Sequence, residues 1–284
     1  MTMMERIHTG RRHVPPRLLI YGTEDIGKST TAAQAPGAIF IPTEDGLDQI
    51  DCSSFPLART FDEVMSDLSA LYSEDHDFQT VVIDSLDWLE RLIWDDVCRE
   101  YGVKSIEKAD GGYAKGYTHA LTQWREVLGG LDALRNERGM CVILLAHAKT
   151  ETFEDPESVA YDRYSPRLHK HATALINEWC DGVLFATRKF RTESEDAGFN
   201  RTRSIAVALG TDGGERVLRT VGSPACVAKN RYSLPAELPL SWSALMQALL
   251  VTAKPTGGDG TASPSPAHGL RLVANTKTQN NKEN

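Results

Sequence analysis

"RLLIYGTEDIGKST", residues 17–30, decides the reading of this chain. Within it, Gly22, Gly27, Lys28 and Ser29 stand in the pattern G-x-x-x-x-G-K-[ST], where loop amides and a following helix N-terminus cradle nucleotide phosphates. That meaning holds only where a strand enters the loop and a helix leaves it. Both flanks comply: "RLLIY" is a short apolar run that reads as a buried strand, and "KSTTAAQA" is an Ala-rich helix start. The expected nucleotide-binding loop is therefore Gly22, Thr23, Glu24, Asp25, Ile26, Gly27, Lys28, Ser29 and Thr30. Lys28 would reach the β- and γ-phosphates and the Ser29 hydroxyl would ligate Mg²⁺, leaving Thr30 to continue the helix. Glu24 and Asp25 are acids in a loop that receives anions. Amides in such a loop point inward while side chains can point out, so the acids need not face the phosphates.

Outward from the loop, apolar runs alternate with helical patterns. "AIFIPTE" reads as a second buried strand, completing a strand–helix–strand unit. In "FDEVMSDLSALY", Phe61, Val64, Met65, Leu68 and Leu71 recur at helical spacing, and "TVVID" is a short buried strand ending on Asp84. Helices are expected over about 86–101 and 117–138, then a strand at "MCVILLAH". The alternation predicts an α/β fold, a mostly parallel sheet flanked by helices. Beyond it, "GVLFATRKFR", "RSIAVALGT", "ERVLRTVG" and "ACVAKNR" are short β-like runs, expected as an antiparallel extension of the same sheet. From residue 253 the chain turns to Gly, Ser, Pro, Thr and Asn and reads as a disordered tail. The expected organisation is an N-terminal extension (1–16), a core (17–252) and that tail (253–284).

Composition bounds what the core can do. At 284 residues, 41% hydrophobic and 25% charged, the chain is ordinary globular material with room for one large domain. Its cysteines, Cys52, Cys98, Cys141, Cys180 and Cys226, are odd in number and never in C-x-x-C spacing, which argues against a disulfide framework or a zinc knuckle and for reduced thiols. No apolar run approaches the roughly 18 residues of a membrane span, and the N-terminus lacks the apolar core of a signal peptide. A cytoplasmic protein is expected. The net charge of -8 argues against wholesale attraction to nucleic acid, so any such binding is expected from local basic loops.

A phosphate loop needs a second carboxylate to organise magnesium, at the end of a neighbouring buried strand. Asp84 in "TVVIDS" stands there, although an Asp before "SLDWLE" also reads as a helix cap. Hydrolysis further needs a group to orient or deprotonate water. Glu44 in "IFIPTEDG" is the candidate and Asp45 the runner-up.

These motifs together resemble the RecA family: "GTEDIGKST" resembles its phosphate loop and "VVIDS" its magnesium strand. The set "YGxxxxGKST", "VVIDS", "GYxKGY", "LLAH" and "KNR" is similar to phage-encoded, RecA-core ATPases found beside single-strand annealing and recombination genes. The resemblance covers roughly residues 17–235 and implies a RecA-like ATPase core with ATP and Mg²⁺. It implies Glu44 as catalytic base and His147, where RecA itself has glutamine, as the γ-phosphate sensor. It also implies that Lys229 and Arg231 reach a neighbouring subunit's γ-phosphate, as catalytic groups of a ring or filament. A solvated edge strand is the other reading of those two cations.

In the same family two mobile loops bind DNA. Here they correspond to about 102–116, with Lys104, Lys108, Tyr113 and Lys115, and to about 148–170, with Lys149, Phe153, Tyr161, Arg163, Tyr164, Arg167 and Lys170. Cations interleaved with rings suit a single strand. The implied partners are single-stranded DNA, further copies of the chain, and a single-strand-binding or other recombination or replication protein, with no membrane. The implied setting is a phage protein in bacterial cytoplasm. A nucleotide-switched assembly or loading factor acting on a protein partner is the alternative, and a small-molecule kinase a weaker third, because no acceptor-binding lid is evident. ATP over GTP follows from the resemblance and from the lack of an N-K-x-D motif.

Overall fold

The computed structural model of the chain describes residues 4–7, 9–10, 14–196, 202–208 and 214–253. One unit spans Met1–Lys254, and the second, Pro255–Asn284, falls outside the described residues, as does the predicted tail apart from Ala253, which ends a helix.

Strand β1 (Arg17–Gly22) runs into the loop, and α1 (Lys28–Ala33) leaves it. That helix stops after six residues. Pro36 follows closely, and the residue before a proline is driven out of helical backbone. Next come β2 (Ala38–Pro42), β3 (Ser53–Ser54), α2 (Phe61–Ser73), β4 (Thr80–Asp84), α3 (Leu86–Glu100) and α4 (Gly116–Glu137), with a 3-10 turn at Ile106–Gly111 between the last two. The second half holds β5 (Cys141–Phe153), β6 (Tyr161–Pro166), α5 (Lys170–Trp179), β7 (Gly182–Arg188), β8 (Phe190–Asp196), β9 (Thr202–Ala208), β10 (Arg216–Arg219), β11 (Lys229–Asn230), β12 (Glu237–Pro239) and α6 (Trp242–Ala253).

The main sheet has the order β12-β10-β7-β1-β5-β4-β2-β3, parallel from β7 to β3. Strand alternation divides its side chains between two cores. Leu19, Tyr21, Ile41, Ile83 and Leu144 face α2, α3, α4 and α5. Leu18, Ile20, Phe40, Val82 and Ile143 face the other way, toward Ala32 of α1 and Trp242 and Leu245 of α6. Burial on both faces explains why these strands read as continuous apolar runs. Among the described residues no helix is long and apolar enough to cross a membrane.

Three expectations are corrected. "GVLFATR" is β7 and lies parallel to β1, not in an antiparallel extension. The cause is α5, whose buried Ala172 and Ile176 make it the crossover helix that a parallel strand requires. The antiparallel extension consists of β10, β11 and β12, while β8 and β9 form a sheet of their own. Finally, the segment expected as a loop from Ala148 to Lys170 is mostly a hairpin, because β5 continues to Phe153 and pairs with β6. Cross-strand partners support that ladder: Thr152 Oγ1 donates to Asp162 (2.7 Å), and the Phe153 and Tyr161 rings lie 5.6 Å apart.

Candidate nucleotide site

The loop after β1 opens into a cleft of about 520 Å³ at the C-terminal edge of the parallel strands, lined by Glu24, Lys28, Ser29, Glu44, Asp84, His147 and others. Two glycines make the loop possible. A Cβ on Gly22 would stand 2.4 Å from the Ala186 carbonyl oxygen of the adjoining β7. Gly27 has φ of 100°, a left-handed backbone that side chains resist.

The geometry is set by strand order. β5 lies between β1 and β4, so Gly22, His147 and Asp84 come to the same edge of the sheet. Lys28 Nζ donates to the carbonyl oxygens of Thr23 (3.0 Å) and Gly22 (3.4 Å), and burial pulls its pKa down despite the acids around it. Ser29 Oγ donates to Asp84 Oδ2 at 2.6 Å. Burial pushes the Asp84 carboxyl up, against that hydrogen bond and the nearby Lys28. Asp84 does not cap α3; the cap position is Ser85, whose hydroxyl donates instead to Glu44 Oε2 (2.8 Å). Glu44 is anchored through its main chain, since the Thr43 and Glu44 amides both donate to the Asp84 carbonyl oxygen. Asp45 lines the same cleft.

A hydroxyl and a carboxylate oxygen meeting beside a phosphate loop are the hard donors that Mg²⁺ takes, with waters and phosphates completing its shell. Ser29 and Asp84 therefore fit the ion. With α1 so short, the loop amides and Lys28, more than the helix dipole, are what the site offers to phosphate.

Two side chains of the site, Asp87 and Arg216, went unnoticed in the sequence, and a third, Arg167, was read for a different role. Asp87, nearly sealed from solvent, accepts hydrogen bonds from the His147 amide (3.0 Å), from His147 Nδ1 (3.1 Å) and from Arg167 Nη2 (2.7 Å). Burial alone would raise its pKa, but those donors outweigh it and hold the carboxyl well below the usual range. The available signal was that Asp87 and Glu90 fall beside the apolar stripe Leu86, Leu89, Ile93 and Val97 of α3. Arg167, expected at DNA, instead stands between Asp87 and Glu24, its Nη1 3.7 Å from Glu24 Oε1. Arg216 of β10 lines the cleft and donates to the Ile26 carbonyl oxygen (3.4 Å). Nothing local marks it, because it arrives through an antiparallel strand 190 residues from Ile26.

A protein-family model described as an AAA domain matches residues 14–232. The chain belongs to this AAA domain family. It is also similar to the SPbeta prophage-derived uncharacterized protein YorG of Bacillus subtilis (strain 168), 24% identical over 172 residues, which are 59% of this chain and 49% of that protein. The chain thus spans about half the length of the curated relative it matches. Among solved structures it is similar to the RadB recombinase, with 12% identity, a TM-score of 0.44, and coverage of 81% of this chain and 90% of that one. In this AAA domain protein the phosphate loop follows β1, which lies inside the parallel strands ordered β7-β1-β5-β4-β2-β3.

The other predicted residues lie away from the cleft. Lys229 and Arg231 sit at the opposite end of the sheet, where β11 pairs with the start of β7. Lys229 Nζ donates to the Asn177 (2.7 Å) and Glu178 (2.8 Å) carbonyl oxygens closing α5. Arg231 Nη1 is 3.3 Å from Asp181, which also pairs with Arg17 and Arg135. The length of β1, roughly 17 Å at strand rise, separates that cluster from the chain's own phosphate loop. On the hairpin, Arg163 binds Glu151 (3.0 Å) and stacks on Phe153, while Lys149 Nζ donates to the Leu168 carbonyl oxygen (2.7 Å). Lys170 begins α5. In the shorter loop Lys115 pairs with Asp110 (3.5 Å), and Tyr113 is 97% exposed on a left-handed backbone. Lys104 and Lys108 lie on the same connection between α3 and α4. All five cysteines are free.

Proposed function

We propose that the chain binds ATP with Mg²⁺ in this cleft, hydrolyses it, and couples the cycle to single-stranded DNA as a homo-oligomer of a phage recombination system. The observation that carries the ATP reading is the Ser29–Asp84 contact of 2.6 Å, with Lys28 beside it and Glu44 and His147 on the same cleft. Gly22 to Thr30 wrap the phosphates, and Lys28 neutralises β- and γ-oxygens. Ser29 and Asp84 would hold the magnesium, which would supply positive charge beside the phosphates. Glu44, oriented by Ser85, takes the proton of the attacking water. His147, whose Nδ1 is taken by Asp87, turns Nε2 to the γ-phosphate. Lys229 and Arg231 lie too far from their own loop and serve a neighbour's site.

For DNA, the support is the bare Tyr113 ring on the connection that also carries Lys104, Lys108 and Lys115, and the basic, aromatic hairpin. The prophage origin of the relative supports the phage setting. The second reading, a loading ATPase for a protein partner, is favoured by the hairpin cations, which are engaged within the chain by Glu151, Phe153 and Leu168. ATP turnover with and without single-stranded DNA at two salt concentrations separates the two. Stimulation that fades with salt supports the DNA reading, since phosphate contacts release counterions. An unchanged rate supports the protein partner.

A further inference from the structure

Arg167 grips one oxygen of Asp87 with two donors, Nη2 at 2.7 Å and Nε at 3.3 Å, both on Oδ2. The other oxygen, Oδ1, takes the His147 amide at 3.0 Å, and the His147 ring presents Nδ1 to the carboxylate at 3.1 Å. The carboxylate is thus held from both sides, and the His147 Nδ1 that it meets also lies 3.7 Å from Glu44 Oε2. The tie is doubled through the main chain, because the Arg167 amide donates to the His147 carbonyl oxygen (2.8 Å). Arg167 directly follows β6, the return strand of the hairpin, whereas His147 lies on β5 before the hairpin departs.

We infer that Arg167 is a positioning residue for the γ-phosphate end of the nucleotide: acting through Asp87, it sets the His147 ring, and it transmits the position of the β5–β6 hairpin to that ring. This rests on the cleft being an ATP site with His147 at the γ-phosphate. An imidazole whose Nδ1 is fixed by a carboxylate offers Nε2 in a single direction, and a carboxylate without its second partner loses that control. A guanidinium beside a buried carboxylate also keeps it ionised. Arg167 is thereby committed to the nucleotide and not to a DNA backbone.

The test compares dissociation constants for ADP and for a non-hydrolysable ATP analogue in wild type, Arg167→Ala, Arg167→Lys, His147→Ala and the Arg167→Ala/His147→Ala double variant. Arg167→Ala should bind the ATP analogue about tenfold more weakly and ADP as before, which also shows that the variant is folded. Arg167→Lys should recover part of the loss, and the double variant should be no worse than His147→Ala alone, because the two residues act as one unit. Equal weakening of both nucleotides in Arg167→Ala and Arg167→Lys, or losses that add in the double variant, would overturn the inference. Wild type that binds neither nucleotide defeats the ATP reading itself, a separate result from a wild type that binds both while Arg167→Ala loses no discrimination.

Discussion

Ser29 and Asp84, 55 residues apart in the chain, meet at 2.6 Å from hydroxyl to carboxylate. The contact joins the first turn of α1 to the end of β4, with β5 between the two parent strands. If this pair holds magnesium as proposed, removing either partner should differ from removing the charge that meets phosphate. Lys28→Ala should lose nucleotide affinity outright. Asp84→Ala should retain some nucleotide binding but lose turnover. Glu44→Gln should bind ATP and hydrolyse it slower by about 10² or more. Single-turnover rates together with nucleotide titrations check all three, and full turnover in Glu44→Gln would move the base to Asp45 or to no side chain.

Arg216 brings an exposed residue to the lining of the cleft, its guanidinium donating to the Ile26 carbonyl oxygen of the phosphate loop. A cation that reaches nucleotide phosphate equally before and during reaction contributes uniform binding, which is the role expected of Arg216. Arg216→Ala should raise KM by about tenfold with kcat nearly intact. A fall in kcat at unchanged KM would be the contrary result.

Arg231 has two possible employments, the intrachain pair with Asp181 and a neighbour's active site. Burial raises the Asp181 pKa, yet Arg17, Arg135 and Arg231 together bring it below its ordinary value, and Arg17 alone supplies a bidentate partner. Losing Arg231 should consequently cost little stability. As a trans-acting group, Arg231→Ala should cost up to roughly 10³ in turnover. Mixing it with inactive Lys28→Ala should restore partial activity, because some interfaces then pair an intact loop with an intact arginine. Co-assembled variants that stay inactive would remove the trans role.

Tyr113 is exposed at φ 56°, where asparagine is more at ease than a bulky ring. Tyr113→Asn should melt at the same temperature as wild type or higher. Its single-strand affinity should fall roughly tenfold if the ring stacks on a base. DNA affinity equal to wild type would separate this loop from nucleic acid.

Glu90 is buried at the foot of the hairpin and accepts the His169 amide (2.9 Å), and burial pushes its pKa up to about 7 from 4.5. The folded protein then holds this proton more tightly than the unfolded chain. Stability from this group is present below 4.5 and is lost as pH rises toward 7. Glu90→Gln keeps an acceptor for the amide and removes the titration. It should match wild type near pH 4 and exceed it near pH 8 by on the order of 2–3 kcal/mol, read as a difference in melting temperature across that range. A constant difference at all pH values would contradict the assignment.

The strand, loop and helix around Gly22 to Thr30 are legible in the sequence because each depends on near neighbours: an apolar run, two glycines, an alanine-rich turn. The same holds for β4 ending on Asp84 and for the helical spacing of Phe61, Val64, Leu68 and Leu71. Missed was α5, a single short helix with only Ala172 and Ile176 buried. With it went the direction of β7 and the hairpin nature of β5–β6. What only the tertiary structure decided is which distant side chains share an edge. Asp87, His147 and Arg167 converge from α3, β5 and the end of β6, and Arg216 joins them from an added antiparallel strand. Local pattern sets which face of an element is buried. Strand order and crossover direction set who meets at its end, and these arise from packing between elements far apart in the chain.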